Sequence, residues 1–273
     1  MNWLQSIIYG LLSGFSEFLP ISSPGHQIVL KKVFGLSESE PIRELMIHIA
    51  LLLAIIVSGA TYIVQIYRSL RNRRKGRGLR SDKRSVYDYR IIVMSVISML
   101  PLMLLHGLFQ GIGNNFAILS LCFAVNGVLV YIPAHLAHGN KDSYKMSGLD
   151  GILMGVSSAI GIIPGFSRIG GAMTCAISRG ADKIKAYNWI LLVSIPALLF
   201  LILLDVLAWM SVGFAAVSFS LFMNYLVCAL CAFVSAIAGI YLMRFLMYRV
   251  GFSAFGYYCW GAAMLTLILY LIA

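Results

Sequence analysis

Six apolar stretches, each long enough to cross a lipid bilayer, constrain this chain more than any other feature. They are residues 45–67, 91–108, 117–137, 187–209, 220–243 and 251–272. A spanning helix needs about 20 mostly apolar residues. Lipid offers no partner to backbone N–H and C=O groups, so such runs specify helices that satisfy those groups internally. Only 11% of the 273 residues are charged, against about 25% in a soluble domain. The expected fold class is an all-α polytopic membrane protein in a single membrane domain, 1–273.

The net charge of +11 raises the question of nucleic acid. Its distribution argues against that partner. Between Arg68 and Arg90 stand ten Lys/Arg and two acids, Asp82 and Asp88. This reads as a basic cytoplasmic loop, 68–90, obeying the positive-inside rule. Loops 138–149, 179–186 and 244–250 then also fall inside and carry Lys or Arg. Loops 109–116 and 210–219 fall outside and carry neither. Segment 33–44 falls outside too, with Arg43 against Glu38, Glu40 and Glu44.

Two further apolar stretches, 3–36 and 150–178, are each broken midway by Pro, Gly and Ser. Counted as single crossings, they would destroy the agreement between charge and topology. As re-entrant hairpins they preserve it, the first entering from outside and the second from inside. Pro20-x-x-Ser23 lines up with Pro164-x-x-Ser167, and three spans follow each hairpin. The expected architecture is six transmembrane helices plus two re-entrant hairpins in an inverted-topology repeat, about 1–137 and 150–273. Folds of that kind place their sites near the midplane, at paired broken helices.

Ionisable residues within a membrane segment usually face a cavity and mark function. Glu17, His26 and Arg168 stand beside the breaks in the two broken segments. Arg168 offers a planar fork of donors to phosphoryl oxygens. Broken helix ends offer free N–H groups to the same anion. Glu17 suits a divalent cation, Mg²⁺ or Ca²⁺, bridging phosphates. Two chemistries stay open at this point. Ser23 acts as a nucleophile with His26 as base, or His26 activates a water or protonates the leaving oxygen.

The stretches SEFLPISSPGH (16–26) and PGFSRIGGA (164–172) resemble the bacitracin-resistance family of undecaprenyl-diphosphate phosphatases along the whole chain. The resemblance implies hydrolysis of undecaprenyl diphosphate to the monophosphate at the outer face of the bacterial plasma membrane. That reaction recycles the lipid carrier of cell-wall synthesis. It further implies a divalent cation, membrane lipids as surroundings and, often, a homodimer. By position it assigns Glu17, Ser23, His26 and Arg168 to catalysis, with Glu17 also on the metal. Ser22, Gly25, Gly165, Ser167 and Arg168 are assigned to substrate binding. Four positions depart from the family pattern: Ser13 replaces a glutamate, Pro24 a small hydroxyl residue, Ile169 a serine and Ala172 a threonine. Losing the carboxylate at Ser13 supports an alternative, a weakened member acting as a polyprenyl-phosphate binder or flippase.

The remaining polar residues invite plainer readings. His48, Asn126 and Asp205 lie in or at the ends of spans and are expected to make interhelical hydrogen bonds or to sit at the interface. His106, His135 and His138 fall near interfaces, and Trp3, Trp209 and Trp260 read as interface anchors. The five cysteines lie in apolar segments, and no disulfide is expected. The opening MNWLQSIIYGLL lacks a basic region and a cleavage site and is expected to be structural.

Overall fold

A computed structural model describes residues 1–36, 40–75, 80–136, 139, 141–213, 217–249 and 251–272. The expectations placed on Glu38, His138 and residues 76–79 lie outside the described residues. Eleven α-helices make up the described chain. They are α1 (Trp3–Glu17), α2 (Ser23–Phe34), α3 (Pro41–Arg74), α4 (Arg80–Met103), α5 (His106–Phe109), α6 (Phe116–Tyr131), α7 (Gly148–Ala159), α8 (Arg168–Ser178), α9 (Lys183–Ser211), α10 (Phe219–Arg249) and α11 (Ala254–Ile272). No strand occurs among the described residues, and all five cysteines are free.

Helices α3, α4, α9, α10 and α11 are long and apolar enough to cross a membrane. Leu53, Val57, Leu203, Leu230 and Val234 stay exposed on them, as lipid-facing side chains do. The chain is a multi-pass membrane protein. The stretch 117–137 is shorter as a helix than its hydropathy predicts. α6 stops at Tyr131 because Pro133 cannot continue it, and a 3₁₀ turn, Ile132–His135, follows. α6 becomes a sixth candidate span when joined to the bent segment before it.

Most of the segment expected as a basic loop is helix. α3 runs on to Arg74 and α4 starts at Arg80. Lys and Arg are good helix formers, so both helices continue past the apolar part of their sequence.

The two broken stretches fold as hairpins whose ends meet. In the first, Gln5 of α1 donates to the Phe34 carbonyl at the end of α2, at 3.3 Å. In the second, Arg179, just past α8, pairs with Asp150 in the first turn of α7 at 2.5 Å. Each first arm packs on a long helix of the other half, α1 on α10 and α7 on α4. Glycine permits this approach. A Cβ on Gly14 would lie 2.1 Å from the Ala232 carbonyl oxygen, and one on Gly155 would lie 2.1 Å from that of Ser95. Serines secure both contacts: Ser95 Oγ donates to the Gly151 carbonyl at 2.8 Å, and Ser235 Oγ to that of Gly10 at 3.4 Å. Small residues bring helix backbones together in this way inside membranes. Between the hairpins, α3 packs on α9 and α6 on α11.

Candidate active site

The hairpin tips meet, and their unwound backbone is satisfied by side chains. The carbonyl of Phe18 accepts from Tyr187 Oη at 3.1 Å, that of Leu19 from Ser167 Oγ at 3.2 Å, and that of Pro20 from Asn126 Nδ2 at 3.3 Å. Irregular backbone inside a membrane protein needs such partners. Asn126 also accepts the Ser167 N–H at 2.9 Å, so one amide of α6 ties both tips. A lone Asn in an apolar helix was the sequence signal for this contact. Its destination at the tips was not legible.

Ser22 caps α2 from a left-handed backbone conformation, φ 70°. Its hydroxyl oxygen accepts the Gly25 N–H at 3.3 Å and, across the interface, the Gly165 N–H at 3.1 Å. Gly165 itself has φ 94°. Ser167 caps α8, accepting the Gly170 N–H at 3.0 Å. Pro24 sits in the first turn of α2, where its missing N–H has no helical partner to lose.

A cavity of about 840 Å³ extends from the tips to Gly35, Glu40, Gly113, Asn114 and Ala208. Glu17, Ser23, Ser167 and Arg168 line it. Ser22, Gly25, His26 and Gly165 lie behind that lining and hold the tips. Arg168 donates from Nη2 to Glu17 Oε1, joining the two hairpins. Its other amino group, Nη1, is buried with no hydrogen-bond partner among the described residues. Ser23 Oγ donates to the Ser13 carbonyl at 3.2 Å.

His26 is engaged on both ring nitrogens. Nδ1 donates to the Ser22 carbonyl at 2.7 Å, so Nε2 accepts from Tyr258 Oη at 2.9 Å. The ring stacks on Tyr258 of α11 and meets the edge of Phe123 of α6. A Ser23–His26 hydrogen bond is not formed. Of the departures, Ile169 and Ala172 are buried in the core rather than on the cavity. Ser13 Oγ is buried with no partner among the described residues.

The cavity also takes in residues assigned no site role from sequence. Lys31, Glu44, His48 and Asp205 line it. Glu44 pairs with Lys31 at 3.0 Å and Arg43 at 3.1 Å, and His48 Nδ1 with Asp205 Oδ2 at 2.6 Å. The last contact is the interhelical hydrogen bond expected of both residues, joining α3 to α9.

No group of three or more His, Cys, Asp or Glu among the described residues is arranged to hold a metal. The donor set at the tips nonetheless fits the way Mg²⁺ is held on substrate phosphates, by one or two carboxylates with water and phosphate oxygens. Glu17, paired with Arg168, is the carboxylate that would serve there.

The family described as Bacitracin resistance protein BacA matches residues 6–265. Relatives called undecaprenyl-diphosphatase include one from Carboxydothermus hydrogenoformans, 26% identical over 98% of both chains. Another, from Thermosipho africanus, is 29% identical over 94% of this chain and 96% of its own. Undecaprenyl-diphosphatase 3 of Bacillus cereus is 27% identical over 98% of both chains. With its length covered almost throughout and its two hairpin motifs meeting at one cavity, the chain belongs to the Bacitracin resistance protein BacA family.

Proposed function

We propose that this protein hydrolyses undecaprenyl diphosphate to undecaprenyl phosphate and inorganic phosphate, recycling a lipid carrier for cell-wall synthesis. The observation that carries this reading is the meeting of Glu17 and Arg168 on the lining of one cavity. The guanidinium would hold the diphosphate oxygens and oppose the charge that builds as the anhydride breaks. Ser23 and Ser167 add hydroxyls on the lining. Ser22, Gly25, His26 and Gly165 position the tips. Mg²⁺ or Ca²⁺ held by Glu17 and the substrate's oxygens would neutralise further phosphate charge.

The proposal includes the membrane arrangement. Six spans and two re-entrant hairpins form two inverted repeats, with the cavity facing the outer side of the plasma membrane. Supporting this, each hairpin's ends are joined, and exchanging the halves maps the most extensive helix pairings onto one another. The α1–α10 contact becomes α7–α4, while α3–α9 and α6–α11 map onto themselves. The sequences agree as well: Gly10-Leu-Leu-Ser-Gly14-Phe-Ser16 of α1 matches Gly151-Ile-Leu-Met-Gly155-Val-Ser157 of α7. The cavity opens at the end away from the Arg/Lys-rich ends of α3 and α4, which the positive-inside rule puts in the cytoplasm.

The test is phosphate release from undecaprenyl diphosphate by the purified protein in detergent with Mg²⁺ or Ca²⁺, beside Glu17→Ala and Arg168→Ala. Turnover lost in both variants supports the phosphatase. A wild-type protein that binds lipid phosphate through Arg168 but releases none would replace it with the binder or flippase reading that Ser13 favours.

A further inference from the structure

We infer that His48, oriented by Asp205, is the residue that takes the proton from the attacking water in this reaction. The inference rests on the phosphatase reading above and names a catalytic residue that reading does not contain. Phosphoanhydride hydrolysis by water needs a proton acceptor. Of the imidazoles in the hairpins and beside them, His26 has both nitrogens occupied and sits off the cavity. His48 lines the cavity together with Glu17 and Arg168. Its Nδ1 donates to Asp205 Oδ2 at 2.6 Å. A carboxylate there fixes the tautomer with Nε2 unprotonated and stabilises the imidazolium that forms, the logic of any His–Asp pair in a hydrolase. α3 and α9 pack on each other and both pack on α4 and α10, so the dyad is set on rigid elements.

The step balances. The water oxygen bonds to the terminal phosphorus, and the bond from that phosphorus to the bridging oxygen breaks. The electron pair leaves on the lipid monophosphate, and the water proton passes to His48 Nε2, from which cavity water removes it. The charged and titratable groups that share the cavity lining with His48 are Glu17 of α1, Lys31 and Lys32 of α2, Glu40 just before α3, Glu44 of its own helix, His106 of α5, Arg168 of α8 and Asp205 of α9. α4 and α10 also pack on α3, but their Asp88 and Arg244 contact Trp189 and Asn188 near the start of α9, away from the cavity. Tyr225 of α10 bonds Glu40 at the cavity mouth.

The experiment is the pH dependence of phosphate release for wild type, His48→Gln, Asp205→Asn and His26→Gln, with undecaprenyl diphosphate as substrate. A base that must be neutral makes turnover fall as pH drops, giving an acid limb. His48→Gln should lower kcat at least about 100-fold with KM within about threefold, and erase that limb. Asp205→Asn should lower kcat about as much and move the limb to lower pH, because the imidazolium loses its carboxylate. His26→Gln should keep the limb in place. An acid limb unchanged in His48→Gln, or one erased by His26→Gln alone, overturns the inference and leaves the phosphatase standing. No phosphate release from wild type overturns both. If His48→Gln fails to fold, the displacement of the limb in Asp205→Asn decides the matter.

Discussion

Arg168 and Glu17 form an ion pair that joins the first residue of α8 to the last residue of α1, so the two hairpins meet through opposite charges. Both side chains are largely buried, 11% and 13% exposed. The pair therefore serves two ends: it docks the tips, and it sets the guanidinium on the cavity lining. Substitution by lysine separates these roles. Arg168→Lys keeps the charge and loses the fork. It should bind detergent-solubilised lipid phosphate and yet lower turnover about 100-fold, the loss associated with removing one preorganised donor to a developing charge. Parallel measurements of phosphate release and ligand binding decide it. Equal loss in both would mean that Arg168 acts through binding alone.

Ser22 is the hinge-pin of the same interface. Its hydroxyl oxygen accepts one N–H from its own helix and one from the opposite hairpin, and it is 1% exposed. Ser22→Ala strands both donors in a dry site, at about 1–3 kcal/mol each. The variant should unfold at a clearly lower temperature in detergent and lose turnover in proportion. Ser22→Gly, which tolerates the left-handed backbone better, should be less damaged than Ser22→Ala if strain contributes. Thermal unfolding of the two variants ranks the contributions.

Local chemistry explains which parts of this molecule could be read from its sequence. Pro20, Pro164 and the serines after them break apolar runs, and a break inside an apolar run is visible in one dimension. Glu17 and Arg168 stood out because a charge inside such a run is rare. The contacts that assemble the site are distant: Ser22 meets Gly165 at a separation of 143 residues and His48 meets Asp205 at 157. An interhelical bond for His48 was predictable from its position. The cavity between α3, α9 and the tips was not, because it belongs to packing. His26 illustrates the converse. Its neighbours in sequence suggested catalysis, but the ring turns back to the Ser22 carbonyl and reaches Tyr258 of the last helix.

The glycines of the first arms should behave as symmetric pairs. A Cβ at Gly14 or Gly155 would collide with backbone carbonyl oxygen, which cannot move without separating α1 from α10 or α7 from α4. Gly14→Ala and Gly155→Ala should each destabilise by about 1–3 kcal/mol, the usual range for overpacking. Gly261, with open space at its Cβ position, is the control, and Gly261→Ala should leave the unfolding temperature close to wild type. Scanning the three variants in one detergent tests the equivalence of the two arms. A large drop for only one arm would argue against matched roles.

Ser13 offers the sharpest probe of the metal. It lies one helical turn before Glu17, fully buried, its hydroxyl without a partner and its carbonyl accepting from Ser23. A carboxylate at this position would bring a second hard oxygen ligand to the tip, and Mg²⁺ on phosphate substrates is held by one or two such groups. Ser13→Glu should therefore lower the Mg²⁺ concentration that half-saturates phosphate release about tenfold, the effect of roughly 1.4 kcal/mol of added binding. Ser13→Gln has the same bulk without the charge and should not. If both variants lose turnover alike, the buried pocket rejects the larger side chain. If Ser13→Glu alone shifts the metal titration, Glu17 is a ligand in a site that this chain has reduced to one carboxylate. Chelation by EDTA should then abolish release from wild type at lower chelator excess than from Ser13→Glu, since the weaker site empties first.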